Sequence, residues 1–387
     1  MTTIVLTGAG SGGHITPILA IATELKRQRT DLRLVYIGQR GDNLGDLPAE
    51  HPAIDEVFTV RAGKFRRYHG EGLKQFLDVP TTLKNIRDFF YVIVGTYQSW
   101  HLLRELRPGV IFIKGGFVGV PVGLSAAWLH IPYITHDSDA SPGLANRIIA
   151  RWARRHAVAL PASLYTYPAD KTVMTGIPLQ PGFEPVHAKL KARYRKELEL
   201  PAKAKVLFVI GGGLGSQNVN DAVTSAVPHL LAEFPDLYVL HSVGRNNEMA
   251  VRAQYKKELS PPQQGRVQVE GYINDVYRYS GAADVVVTRA GATNLAEFAL
   301  QGKACIVVPS PFLAGGHQLK NADYLAEQQA AEVIDEVALT DDPNRLAKRI
   351  SALLRDPKRQ NQLEARLATF AKPEATAELA QLLLEAL

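Results

Sequence analysis

The sequence predicts an α/β protein built from two Rossmann-like, doubly wound domains. Strand-like apolar runs alternate with helix-like amphipathic runs along the chain, the pattern of parallel sheets covered by helices. Two of the strand runs, Ile4–Leu6 and Val206–Ile210, lead directly into glycine loops that open helices. A length of 387 residues is enough to give each loop a domain of its own.

The first strand, Ile4–Thr7, runs into Gly8-Ala9-Gly10-Ser11-Gly12-Gly13-His14-Ile15-Thr16-Pro17 and then an amphipathic stretch to Lys26. Glycines let a ligand approach the main chain. The unpaired N–H groups at the start of the new helix suit an anionic or strongly polar ligand. His14 stands at the mouth of this loop, able to move a proton near neutral pH. Gly8, Gly10 and Gly13 also match a dinucleotide-binding pattern, which wants an acid about 20 residues on, after the second strand. That strand, Leu34–Ile37, is followed instead by Gly38-Gln39-Arg40. Arg40 favours a 2′-phosphate, which keeps an NADP-dependent oxidoreductase open as an alternative.

Further strands are expected near Val110–Ile113, Tyr133–Thr135 and Ala157–Leu160. A proline-rich connection from Pro161 to Lys205 marks a domain junction. The second series comprises Val206–Ile210, Leu237–His241, Val267–Val269, Val285–Thr288, Cys305–Val308 and Ala331–Ile334. Pro373–Leu387 reads as an amphipathic helix. The expected domains are therefore 1–177 and 178–370, with the helix of 371–387 packing back on the first. Facing α/β domains leave a cleft at the carboxyl ends of their sheets, where ligands bind in such folds.

Composition narrows the function classes. Apolar content of 46% and charged content of 21% fit a globular protein with a substantial core. The single cysteine, Cys305, excludes an internal disulfide, and its apolar surroundings read as a buried thiol rather than a nucleophile. The chain enters a strand at once, so no signal peptide is expected. No apolar run approaches the ~18 residues that span a bilayer. The net charge of +6 suits anionic partners, such as a phosphorylated substrate or an anionic membrane. No zinc-finger spacing or RNA-binding consensus points to nucleic acid.

Four segments can carry chemistry. Thr288–Glu297 follows a strand and opens a helix, so the main chain at Gly291, Ala292 and Thr293 can hold a diphosphate. Glu297, one turn inside, can accept two sugar hydroxyls or serve as a first-turn acid favoured by the helix dipole. His317, Gln318 and Asn321 open another helix and can line a site or cap it. Asp137 and Asp139 have a spacing that can hold a divalent cation, but no further hard ligands lie nearby in sequence and no metal site is assigned. Lys64, Phe65, Arg66, Arg67 and Tyr68, then Leu73–Leu77 and Phe89-Phe90-Tyr91 up to Val94, combine basic and aromatic residues as peripheral membrane contact requires. A buried helix with a basic flank has the same pattern.

Taken together these motifs resemble the MurG family of GT-B glycosyltransferases. The resemblance spans nearly the whole chain: Gly12-Gly13-His14 with Pro17, Lys114-Gly115-Gly116-Phe117 with Pro121, His136–Arg147, Thr175-Gly176-Ile177-Pro178, Gly211–Asn220, Arg289-Ala290-Gly291 with Glu297, and Gln318 with Asn321. It implies a GT-B fold and an inverting enzyme that moves GlcNAc from UDP-GlcNAc to the 4-hydroxyl of lipid-linked MurNAc-pentapeptide, turning lipid I into lipid II. It implies action at the inner leaflet of the cytoplasmic membrane, with no tightly bound cofactor. By the same resemblance, His14 is the candidate general base. Glu297 would grip donor hydroxyls, the Ile273 main chain would read the uracil edge, and Gly291–Thr293 would face the diphosphate. Gln318, with His317 and Asn321 beside it, would contact the GlcNAc. Gly213, Ser216 and Gln180 complete the donor set. Gly12, Gly13, Gly115, Gly116, Asp139 and Asn146 form the acceptor set. Lys64, Arg66, Arg67, Phe89, Phe90 and Tyr91 match the membrane patch. The chain departs from the family pattern at Gly213 (serine in the family), Gln180 (arginine), Asp137 (glutamate), Asp139 (asparagine), Phe117 (tyrosine) and His317 (glutamine). A transferase acting on another lipid-linked acceptor therefore stays open.

Overall fold

The computed structural model describes residues 1–10, 12–42, 45–64, 79–312, 316–342 and 344–387. They separate into two compact units. The first holds Met1–Pro181, Phe312–His317 and Lys372–Leu387; the second holds Gly182–Pro311 and Gln318–Ala371.

The first unit is a seven-stranded parallel sheet: β1 (Thr2–Thr7), β2 (Leu32–Gln39), β3 (Glu56–Val60), β4 (Val110–Ile113), β5 (Tyr133–Asp137), β6 (Arg155–Val158) and β7 (Thr172–Met174). Their order across the sheet is β3-β2-β1-β4-β5-β6-β7. β1 lies at the centre, with Ile4 opposite Leu34 on one side and Val110 on the other. Helices cover both faces, so the central strands read as unbroken apolar runs rather than alternating ones: Ile4, Val5 and Leu6 are all fully buried. β3 and β7 were not expected from sequence. Both are half-exposed edge strands carrying polar residues (Glu56 and Thr59 in β3, Thr172 in β7), which dilutes the apolar signal. β6 begins at Arg155 rather than Ala157, because pairing with β5 sets Arg155 opposite Ile134.

The second unit is a six-stranded parallel sheet: β8 (Lys205–Ile210), β9 (Leu237–Ser242), β10 (Val267–Glu270), β11 (Val285–Thr288), β12 (Ala304–Val307) and β13 (Glu332–Val333). Its order, β10-β9-β8-β11-β12-β13, repeats that of the first sheet. In each sheet the winding reverses beside the central strand, and ligands bind at such switch points beyond the carboxyl ends of the strands.

The C-terminal helix Ala375–Leu384 closes the first unit's core. Leu379, Ala380 and Leu383 are fully buried in the cluster formed by Ile4, Ile18, Ile21 and Leu25. Burial of each leucine stabilises by about 2 kcal/mol.

Two glycines are required by the loops at the switch points. Gly116 has φ +78°, and a Cβ there would lie 2.5 Å from the Ala9 carbonyl oxygen. Gly215 has φ +75°, and a Cβ there would lie 2.0 Å from the Val243 carbonyl oxygen. Any other residue would push the β4 or β8 loop off its neighbour.

Candidate active site

In the first unit, the loop after β1 opens the helix Gly12–Gln28, and the loop after β4 is Lys114–Phe117. The space that a Cβ on Gly115 would fill lies 3.6 Å from Asn146 Nδ2 and 3.8 Å from His14 Cδ2. His14, Gly115, Gly116 and Asn146 are thus brought together. Burial first, and then the positive charge of Lys114, lower the His14 pKa to about 4, while Asp139 opposes the shift. The imidazole is neutral at physiological pH and able to accept a proton. Asn146 is buried; its Nδ2 donates to the His136 carbonyl at 2.9 Å, and among the described residues its Oδ1 has no partner.

Sequence reading missed two groups here. Lys114 is buried, donates to Ser138 Oγ at 2.6 Å, and is pushed down by burial to about 8. The only cue was a lysine ending an apolar strand before two glycines. Asp42 Oδ2 accepts the Gly10 N–H at 2.9 Å. That carboxylate already takes up one main-chain donor of the first glycine loop. Asp42 escaped notice because it follows its strand by three residues and reaches back through the loop.

Asp137 is committed to structure: Oδ1 accepts from the Gly143 N–H at 2.9 Å and Oδ2 from the Tyr167 hydroxyl at 2.7 Å. Burial raises its pKa. Among the described residues no group of three acidic, histidine or cysteine side chains is arranged to hold a metal. Gln180 is exposed and is the next-to-last residue of the first unit's opening segment, which ends at Pro181.

In the second unit, the loop Gly211–Ser216 opens the helix Gln217–Glu233. The Ser216 side chain makes no capping bond. Gly213 is exposed, with only Tyr272 close to its Cα face. Arg245 stacks on that Tyr272 ring at 4.6 Å. Gly291 is the N-cap of the helix Ala292–Gln301 and, having no side chain, cannot itself cap the first turn. The helix's leading N–H groups lack intrahelical acceptors, and helix electrostatics favours an anion beside them. Glu297 is half-buried on this helix. Desolvation alone pushes its carboxyl up to about 8, and among the described residues no side chain or main-chain group pairs with it. Ile273 is buried, and its N–H is engaged by no hydrogen bond among the described residues. Gln318 Oε1 accepts from the Ser310 N–H at 2.9 Å, which leaves its amide NH2 for a ligand. Asn321 is buried and donates to the Ala290 carbonyl at 3.0 Å, so it braces the Arg289–Gly291 loop. His317 begins its helix and clusters with the first unit.

On the helix Val79–Leu106, Leu83, Ile86, Phe89, Phe90, Ile93 and Tyr97 are each half or more exposed. Positions 83, 86, 90, 93 and 97 form one stripe at helical spacing. Tyr91 does not share it: the ring is half-buried between the Arg61 and Arg87 guanidinium groups, at 5.3 and 5.4 Å. Lys64 places its ammonium over the Phe117 ring at 5.6 Å. Phe65, Arg66, Arg67, Tyr68 and 73–77 lie outside the described residues. Among the described residues, no helix is long and apolar enough to cross a membrane.

Two Rossmann-like sheets of matching strand order, each with a glycine loop at its switch point, make up the GT-B architecture. Residues 4–158 match the glycosyltransferase family 28 N-terminal domain and residues 206–379 its C-terminal domain. The chain belongs to the MurG family of these enzymes. It is 32% identical to the UDP-N-acetylglucosamine–N-acetylmuramyl-(pentapeptide) pyrophosphoryl-undecaprenol N-acetylglucosamine transferase of Caldicellulosiruptor saccharolyticus, over 98% of this chain and 96% of the relative. It is 31% identical to the enzyme of the same name from Moorella thermoacetica, over 99% and 98%. MurG of Acinetobacter baumannii superposes with a TM-score of 0.72 at 23% identity, covering 100% of both chains. A UDP-GlcNAc 2-epimerase of Neisseria meningitidis, solved with UDP-GlcNAc bound, shares the fold at a TM-score of 0.66 and 11% identity. The family membership overturns the oxidoreductase alternative.

Proposed function

We propose that the protein transfers GlcNAc from UDP-GlcNAc to the 4-hydroxyl of lipid-linked MurNAc-pentapeptide, making lipid II from lipid I at the inner leaflet of the cytoplasmic membrane. The observation that carries this is identity above 30% across nearly the full length of transferases bearing that name. The site chemistry supports it. The second unit takes the donor: the helix start at Gly291, Ala292 and Thr293 receives the diphosphate, with the Gly213–Ser216 loop beside it. Glu297 accepts two hydroxyls of the donor, the Ile273 main chain reads the uracil edge, and the Gln318 amide meets the sugar.

The first unit takes the acceptor at Gly12, Gly13, Gly115, Gly116, Asp139 and Asn146. Neutral His14 removes the proton from the 4-hydroxyl as that oxygen attacks the anomeric carbon. UDP leaves from the opposite face, so the configuration inverts. Helix N–H groups stabilise the charge that grows on the leaving diphosphate. The apolar stripe of the helix Val79–Leu106 rests on the membrane, with Phe90 among its contacts and the exposed Phe89 beside it, and the basic charge of Lys64, Arg66 and Arg67 in the sequence favours an anionic surface.

Turnover with a panel of UDP-sugars against a short-chain lipid I analogue tests the reading. UDP-GlcNAc with this acceptor gives product. Product only with another lipid-linked acceptor supports the related-transferase reading, and binding of 2′,5′-ADP without UDP overturns both.

A further inference from the structure

The carboxylate of Glu336 is 3% exposed and lies just beyond β13. Its Oε1 is held by two donors, one from the start of a helix and one from a separate loop. Asn218 Nδ2 donates to it at 2.8 Å, from the first turn of the helix that follows Gly211–Ser216. Arg289 Nη1 stands 3.0 Å away, from the loop between β11 and the helix that begins after Gly291. The same Nη1 donates to the Val308 carbonyl at 3.3 Å, at the end of β12. Oε2 has no partner. A buried carboxylate with one dry oxygen costs stability that a hydrophobic residue would not. Here it ties together the two loops whose helix starts receive the donor diphosphate.

We infer that Glu336 is a positioning residue: it fixes the spacing of the Gly211–Ser216 and Arg289–Gly291 loops, so that both sets of N–H donors meet one diphosphate. The inference deepens the donor-site reading above and rests on it. Without Glu336, Asn218 and Arg289 lose their shared acceptor and the loops move independently. Diphosphate affinity then falls, whereas recognition of the nucleoside, made by the Ile273 segment, does not.

The test compares UDP and uridine binding by calorimetry in the full-length protein for wild type, Glu336→Ala, Glu336→Gln and Asn218→Ala. Asn218 is a surface residue, so its variant keeps the fold and holds the proposal falsifiable if Glu336→Ala fails to fold. Glu332→Gln, which breaks a surface ion pair with Arg349 and Arg359, controls for lost stability. Glu336→Ala is expected to lower UDP affinity about tenfold with uridine affinity unchanged, and Asn218→Ala to lower it two- to fivefold; Glu336→Gln, which keeps the Asn218 bond, falls between. With UDP-GlcNAc, KM rises while kcat changes little. Equal losses for uridine and UDP, or a UDP loss matched by Glu332→Gln, overturn the positioning role and leave the donor-site reading intact. A wild-type protein that binds neither ligand overturns both.

Discussion

Glu297 offers the most demanding prediction, because the structure leaves its carboxyl neutral while its proposed role needs it ionised. Burial raises its pKa to about 8 with no partner to oppose the shift. A carboxylate accepts two hydroxyl donors; a neutral carboxyl must spend one oxygen as a donor. The sign follows directly. The proton stays on below the raised pKa, ligand binding favours the charged form, and binding therefore expels the proton. At pH 7 only about one molecule in eleven carries the charge, and at pH 9 about ten in eleven do, so UDP affinity should rise about tenfold between them. Calorimetry of UDP binding in buffers of different ionisation enthalpy reads the released proton: close to one per UDP at pH 7, falling toward zero at pH 9. Glu297→Gln should abolish both the proton release and the pH dependence. It should weaken binding at pH 9 and raise Tm above pH 5, because it removes a carboxyl whose ionisation the fold opposes. Affinity that stays flat from pH 7 to 9 in the wild type, with no proton released, would refute the reasoning.

His14→Ala should lower kcat by about 10²- to 10⁴-fold while UDP affinity survives in calorimetry. Because burial and Lys114 set the His14 pKa near 4, wild-type kcat at saturating donor should hold steady down to about pH 5 and fall only as pH drops through 4; an acid limb near 6.5 would contradict this. Phe90→Ser with Ile93→Ser strips two exposed side chains, each worth about 2 kcal/mol in an apolar surround, so cosedimentation with anionic vesicles should weaken more than tenfold at unchanged helical content. Gly116→Ala sets a Cβ against the Ala9 carbonyl at φ +78° and should cost about 1–3 kcal/mol by denaturant unfolding.

The sheets were legible in sequence where both faces are covered, because continuous apolar runs such as Val206–Ile210 have no other reading once glycine loops follow them. Edge strands β3 and β7 were not, since half-exposed strands carry mixed residues. Glu297 and His14 could be singled out as candidates through their place beside glycine loops. Asp42, Lys114 and Glu336 did not, because each reaches its partner across 24 or more residues of chain. The exposed apolar stripe was only partly read. Phe89 and Phe90 are exposed, yet their neighbour Tyr91 turns inward between two arginines, a distinction that helical spacing from Leu83 to Tyr97 would have drawn.

The most direct measurement is an NMR spectrum of the product formed from UDP-GlcNAc and a short-chain lipid-linked MurNAc-pentapeptide. A GlcNAc joined to the 4-oxygen with inverted anomeric configuration is the predicted result. Retained configuration, attachment at another oxygen, or release of free sugar with no coupled product would contradict the account.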